Sequence, residues 1–324
     1  TPEISHLILL LPQGTAGEAG RGVDPLVEMI RRLATVCAPP PAASAPRKRT
    51  SVVFVQFGGG EFGADPRFAV PERCGSQALA ASLHLERSDL RVRCLDFSPA
   101  LTADKMAALT VAELQADSAF AAVGYDFKER RGRPRPCLLS PADYLPRRID
   151  GSDEDVIVVS GGAKGITAVC ALAVARATQV RMALLGRSSH PDATPDDPES
   201  RVVRQTLDRF TASGLTAEYY CCDVANEDSV RATLGLIRQE MGPITGLIHG
   251  AGLNRPRPLS QVSMKAAYTE TAPKVNGARH LPAALEEAPP KLIMAMTSII
   301  GITGMPGNGW YGFSNETLAL QLLA

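Results

Sequence analysis

Aromatic residues are scarce in this chain. Phe, Trp and Tyr make up 5% of its 324 residues, with a single tryptophan. Its core must therefore be aliphatic, and a hydrophobic content of 45%, rich in Ala, Leu and Val, can fill one. An excess of one charge sign is also missing. Lys plus Arg and Asp plus Glu number 34 each, so the formal charge is zero. That gives no support to a nucleic-acid partner, which shows as a basic excess. No apolar run reaches the roughly 18 residues of a membrane span. The opening T-P-E-I-S-H has no signal-peptide pattern, and its lack of Met fits a piece excised from a longer polypeptide. Seven cysteines, at 37, 74, 94, 137, 170, 221 and 222, have an odd count and no metal-site spacing. The expectation is reduced thiols in a cytoplasmic protein, with no metal site and no membrane partner.

What is present is alternation. The length suggests about two domains. In the first half, 6–11 (HLILLL) reads as a buried strand and 24–36 as an amphipathic helix, with Asp24 as N-cap and Pro25 at its first position. Residues 38–49 form a Pro/Ala-rich, then basic, surface loop. Strands over 51–57 and 91–97 alternate with helices over 75–85 and 103–117. Residues 123–139 read as two extended pieces around a turn at Arg131-Gly132-Arg133-Pro134. Gly58-Gly59-Gly60 runs into E-F-G and reads as a plain turn, so this half has no glycine-rich nucleotide turn. A polar stretch, 141–155, is the best linker. The second half predicts strands over 156–159, 180–185, 217–222, 244–249 and 291–297. Between them lie helices over 165–177, 202–213, 227–241 (N-cap Asn226) and 268–286, with a polar loop over 190–200. Strands separated by about a dozen helical residues indicate βαβ units and a parallel sheet.

The chemistry-bearing motifs fall at the strand ends. Ser160 is followed by Gly161, Gly162, Ala163, Lys164, Gly165 and Ile166, then a helix. Strand, glycine-rich turn and helix present backbone N–H groups to a pyrophosphate. The next strand ends in Arg187-Ser188. A basic residue there suits a ribose 2′-phosphate, and Lys164 adds a second charge, so the pattern points to NADPH over NADH; the other reading is a surface Arg and Lys. Asp223-Val224 end the third strand, where the Asp can accept from an adenine amino group. His249 precedes Gly250-Ala251-Gly252, a tight turn for close backbone approach; His249 itself reads as structural in preference to catalytic. Finally, Ser298 ends an apolar run, and Tyr311 and Asn315 stand four residues apart at the start of a helical pattern, on one face. A serine and a tyrosine converging over strand ends can polarise a carbonyl and give it a proton.

Together these residues resemble the short-chain dehydrogenase/reductase superfamily, and within it the ketoreductase domains of type I polyketide synthases. That family carries a Lys in K-V-x-G, a Ser in S-x-x-G and a Tyr-x-x-x-Asn pair. Here these are Lys274, Ser298, Tyr311 and Asn315, at separations of 24, 13 and 4 residues. Stand-alone reductases of the superfamily usually have Tyr-x-x-x-Lys. The resemblance implies an α/β fold of two Rossmann-like doubly wound parallel-sheet subdomains: a truncated structural one without cofactor over 1–145, and a catalytic NADPH-binding one over 146–324. Residues 123–139 resemble the segment crossing between them. Phrases such as G-G-A-K-G-I-T and A-P-K-V-N-G are most similar to iterative synthases of the enediyne kind.

The implied reaction is NADPH-dependent reduction of the β-keto group of an acyl-carrier-protein-bound polyketide intermediate to a β-hydroxyl. Tyr311 would be the general acid, Lys274 the positive charge beside it, and Ser298 the donor to the carbonyl oxygen. Asn315 would orient Lys274 or a water relay. Implied partners are a carrier protein with a phosphopantetheine-tethered β-ketoacyl chain and the other synthase domains; Arg255 and Arg257 would face the acyl arm or the carrier, or are plain loop surface. Two other readings are a silent ketoreductase-like scaffold, opposed by the complete tetrad, and a free-standing alcohol dehydrogenase, opposed by Asn315. Departures from the family are Thr167 in place of the turn's third glycine, L-N-R-P-R-P where one stereochemical class has Leu-Asp-Asp, and Thr303 where the other has Trp. They leave product stereochemistry open. The chain also stops soon after the tetrad, where the family usually continues through a strand, a lid helix and a final strand, so a C-terminally incomplete catalytic part is expected.

Overall fold

Among the described residues ten strands form two sheets of five. The computed structural model describes residues 6–13, 24–37, 50–65, 70–138, 140–143, 150–194 and 196–323. The loop expected over 38–49 and the middle of the linker, 144–149, lie outside them. The chain divides into two units, the first made of Thr1–Pro136, Leu253–Val275 and Thr297–Ala324, the second of Cys137–Gly252 and Asn276–Met296.

In unit 1 the chain runs β1 (His6–Leu10), α1 (Pro25–Cys37), β2 (Thr50–Gln56), α2 (Pro71–Cys74), α3 (Gln77–Glu86), β3 (Leu90–Phe97), α4 (Ala103–Gln115), β4 (Phe120–Tyr125) and β5 (Arg131–Gly132). The strands lie side by side in sequence order. The first four are parallel and β5 is antiparallel to β4. Asp24 starts α1 as expected, its Oδ1 accepting from Leu26 N at 3.0 Å. Strand β1 differs from the expectation of burial: among the described residues it pairs on one side only, and four of its five residues are exposed. The turn expected at 131–134 lies earlier. Asp126 Oδ1 accepts from Lys128 N and Arg130 N, and Arg131-Gly132 are already the returning strand. A carboxylate closing its own turn outweighs the Gly-Arg-Pro signal.

Val53, Val55, Leu95, Phe97, Val123 and Tyr125 share one sheet face and pack with Met106, Leu109 and Leu114 of α4. Arg93 is 1% exposed and donates to the carbonyls of Glu113, Ala116 and Ser118 at 3.1, 2.9 and 2.6 Å. It thereby satisfies carbonyls that the end of α4 would leave without partners. Gly58 and Phe62 donate their N–H groups to Asp96 at the end of β3, at 2.6 and 2.8 Å. Burial pushes the Asp96 carboxyl up to about 6.

Unit 2 holds β6 (Val156–Ser160), α5 (Gly165–Thr178), β7 (Arg181–Gly186), α6 (Pro198–Thr211), β8 (Ala217–Cys221), α7 (Glu227–Glu240), β9 (Ile244–His249), the second part of α8 (Met264–Ala283) and β10 (Leu292–Ala295). All five strands are parallel in the order β10-β9-β6-β7-β8. Even positions of β6 and odd positions of β7, Val156, Val158, Ala183 and Leu185, pack with Val230, Leu234 and Ile237 of α7. The alternate positions Ile157, Val159, Met182 and Leu184 pack with Ala171, Ala175, Val203 and Phe210 of α5 and α6. A sheet buried on both faces reads as continuous apolar runs, which is why VIVV and its counterparts were legible. The chain lays strands outward from β6 in one direction and then in the other. The order reverses between β6 and β9, and a crevice at the strands' C-terminal ends opens at such a point. Helix α6 starts at Pro198, four residues earlier than expected, because Asp197 caps it by accepting from Ser200 N. Helix α8 likewise starts at Met264.

The last elements, α9 (Ile300–Thr303) and α10 (Gly309–Gln321), return to unit 1. Unit 1 thus also holds the segments bearing Lys274, Ser298, Tyr311 and Asn315. The fold is α/β, built of two Rossmann-like parallel-sheet subdomains.

Candidate active site

Lys274, Ser298, Tyr311 and Asn315 all lie in unit 1. Lys274, on α8, is 4% exposed, and its Nζ stands 5.9 Å from the centroid of the Tyr311 ring. Burial lowers its pKa to about 8. Tyr311 is half-buried in the first turn of α10. Asn315, one turn on, is buried, and its Nδ2 donates to the Tyr311 carbonyl at 2.7 Å. Asn315 Oδ1 is buried with no hydrogen-bond partner among the described residues. Ser298 is half-buried just beyond β10, and its Oγ accepts from Ile300 N at 3.3 Å. Because the oxygen is the acceptor there, this bond leaves the hydroxyl proton able to donate elsewhere. The structure therefore brings Lys274 to Tyr311 and ties Asn315 to the backbone of Tyr311, while Ser298 heads the segment leading through α9 to Tyr311.

The residues holding these elements were not visible in the sequence. Glu316, next to Asn315, reaches the first turn of α3, where Ala78 N donates to it at 2.8 Å. Helix α3 has no side-chain cap of its own, so this carboxyl group meets its unpaired N–H groups. Glu86, at the other end of α3, accepts from Leu259 N and Gly307 N at 2.7 and 2.8 Å, clamping the loops before α8 and before Tyr311. Gln321 donates to the carbonyl of Val275, beside Lys274, at 3.1 Å. Glu270, one turn before Lys274, is buried and pairs with Arg257 at 3.4 Å, while Arg255 is exposed. Trp310 is buried edge-on against Phe313, a core residue. The only sequence signal was the polar run S-N-E-T inside an otherwise apolar helix.

Burial, opposed by the backbone N–H bonds, pushes the Glu316 carboxyl up to about 8. A carboxyl raised in the folded state favours folding most below its unfolded value, and that contribution is lost as pH rises toward 8. Stability is expected to fall by on the order of 2 kcal/mol between pH 6 and 8. Glu316→Gln, which keeps an acceptor without the charge, should flatten most of that fall in thermal denaturation at the two pH values. An unchanged slope would reject the assignment.

In unit 2 the glycine turn leaves β6. Gly161 has φ +67°, and a Cβ there would stand 2.9 Å from Ala251 N. Gly165 has φ +65° with open space where its Cβ would be. Helix α5 has no side-chain cap, and Lys164, Gly165 and Ile166 are exposed, while Gly162 and Ala163 are buried. Uncapped N–H groups, open room and a cation fit a pyrophosphate. The departure at Thr167 has its compensation in Gly250, where a Cβ would lie 2.3 Å from Thr167 Oγ1. Ser160 Oγ accepts from Gly250 N and Ala251 N and lies 2.6 Å from His249 Nδ1. With both N–H groups donating to Oγ, the hydroxyl proton goes to Nδ1, and His249 serves to hold the Gly250-Ala251-Gly252 turn.

Arg187 is exposed at the end of β7. Ser188 Oγ donates to Glu199 Oε2, and Lys164 Nζ lies 3.6 Å from the same oxygen. Asp223 is exposed and accepts from Ala225 N, while Val224 is buried. The seven cysteines are free; Cys37, Cys74, Cys94 and Cys222 are buried. Among the described residues no helix is long and apolar enough to cross a membrane.

Comparison with known proteins bears on both units. The family model for the KR domain matches residues 156–320. Polyketide synthase PksL of Bacillus subtilis is 28% identical over 174 residues, 53% of this chain and 4% of that protein. Reducing polyketide synthase PKS1 of Cochliobolus heterostrophus is 30% identical over 162 residues, 49% of this chain and 6% of that protein. This chain therefore spans a small fraction of those relatives. Among solved structures, a ketoreductase domain from the bacillaene assembly line is similar with a TM-score of 0.72 and 18% identity, covering 99% of this chain and 76% of that one. The ketoreductase PlmKR1 of Streptomyces sp. HK803 has a TM-score of 0.69 and 20% identity, covering 98% and 65%. These two share the fold across nearly the whole chain. With the stretch from β6 through α10 matched by a single family model, and with polyketide synthases as its relatives over the same stretch, this chain belongs to the KR domain family.

Proposed function

We propose that this chain reduces the β-keto group of an acyl-carrier-protein-bound polyketide intermediate to a β-hydroxyl, with NADPH as reductant. The observation that carries the reading is the buried Lys274 ammonium 5.9 Å over the ring of Tyr311, one helical turn from Asn315. NADPH, when bound, supplies the hydride. Tyr311 gives its hydroxyl proton to the oxygen that the reduction leaves negative. Lys274, mostly protonated at neutral pH with its pKa near 8, stabilises the tyrosinate so formed. Ser298 donates to the same substrate oxygen, where one such donor contributes roughly 3 kcal/mol. Asn315 holds the first turn of α10 and so the place of Tyr311.

For the cofactor, the first-turn N–H groups of α5 and the Gly161–Gly165 turn would take the pyrophosphate. Arg187, Ser188 and Lys164 would take the 2′-phosphate, Asp223 and Val224 the adenine, and Gly250 to Gly252 the close backbone approach. Residues 1–145 act as a structural subdomain; the support that Glu86 gives the two site loops is consistent with that role.

The test is NADPH oxidation by the purified chain with a β-ketoacyl thioester, free and carrier-bound. Oxidation by both, faster with the carrier, is expected. No oxidation with either, in protein that binds NADPH, would favour a silent scaffold. Equal rates on simple ketones would favour a free-standing alcohol dehydrogenase.

A further inference from the structure

The two groups placed to receive a 2′-phosphate are already in contact with an anion. Glu199 lies in the first turn of α6, behind the Asp197 cap and Pro198. Its Oε2 accepts from Ser188 Oγ and lies 3.6 Å from Lys164 Nζ. The Ser188 hydrogen bond, then the Lys164 charge, hold this carboxyl below its ordinary value, so it is ionised at neutral pH. Stability gives little reason for the arrangement. The side chains of Lys164 and Glu199 are each 60% exposed, and an ion pair so exposed contributes almost nothing to folding.

We infer that Glu199 is a built-in competitor for the ribose 2′-phosphate: it occupies Ser188 and Lys164 in the free protein and weakens the preference for NADPH over NADH. The inference rests on the NADPH reading above. A phosphate entering between Arg187, Ser188 and Lys164 must displace the carboxylate from both contacts. Glu199 has the exposure to swing into water, but its charge stays close. A unit charge a few ångströms from a dianion in near-aqueous surroundings corresponds to about tenfold in affinity. The repulsion is screened by salt, because it acts at the surface. NADH has only a hydroxyl at that place and is spared it.

Fluorescence titration of the whole chain with NADPH, NADH, 2′-AMP and 5′-AMP tests this directly. Glu199→Gln keeps the size and a hydrogen-bond acceptor for Ser188 but removes the charge. It should lower the Kd for NADPH and 2′-AMP about tenfold at low salt, with NADH and 5′-AMP changing less than twofold. The gain should shrink at high salt. If Glu199→Gln leaves the NADPH Kd unchanged while the wild type still prefers NADPH, and Arg187→Ala abolishes that preference, the inference fails and the NADPH reading stands. If the wild type prefers NADH and Glu199→Gln weakens it, Glu199 binds the ribose hydroxyl, and both fail.

Discussion

Tyr311→Phe is expected to lower turnover by about a thousandfold or more while NADPH binding stays within twofold, because positioned proton transfer contributes on the order of 10²–10⁴ in rate. The substitution removes one oxygen. The ring that faces Lys274 remains, and the Tyr311 carbonyl still accepts from Asn315 Nδ2 and Ser314 Oγ, so α10 keeps its first turn. Loss of rate therefore reports the hydroxyl and not the helix. The measurement is kcat with a β-ketoacyl thioester beside a binding titration of NADPH. Turnover like that of the wild type would remove Tyr311 from the proposed role.

Lys274→Met should cost roughly 10²–10³ in turnover by the same reasoning, and it carries a second readout. Burial sets the Lys274 ammonium at about 8, below the ordinary 10.5. Wild-type turnover should then decline above pH 8 as the ammonium loses its proton. Stability runs the other way. Between pH 8 and 10.5 the unfolded chain holds a proton that the folded one has released, so the contribution of Lys274 to stability rises with pH in that window. Met copies the length of the stem and cannot titrate. The difference in unfolding free energy between wild type and Lys274→Met should shift in favour of the wild type from pH 8 to 10. A Lys274→Met variant that keeps full turnover would show that this ammonium is not the charged group the reaction uses, and a stability difference independent of pH would show that burial does not lower its pKa.

Much of the chain was legible because unit 2 is buried on both sheet faces. Its central strands are short, mostly apolar runs, and VIVV-S-G-G and the I-H-G-A-G turn stand out because a glycine turn follows each run directly. Residue types at fixed separations likewise placed Lys274, Ser298, Tyr311 and Asn315. Misplaced boundaries had local causes. Asp197-Pro198 is a helix start hidden in a polar loop, and Asp126 closes the turn ahead of Arg131-Gly132-Arg133-Pro134. The burial assigned to β1 failed because an apolar run does not reveal that a strand lies at a sheet edge.

By itself, then, the sequence determined the α/β alternation, the glycine turn before α5 and the identity of the four candidate residues, since each depends on spacing along the chain. Tertiary structure alone decided what surrounds them. That Lys274 is buried over Tyr311, that Glu316 and Glu86 hold the site's elements from the two ends of α3, that Gly250 makes room for Thr167, and that Glu199 faces Ser188 and Lys164 are all pairings between residues far apart or set at no regular interval. They depend on which side chains the packed sheets and helices bring within a few ångströms, and on how much water is left around them, neither of which a linear order of residues contains.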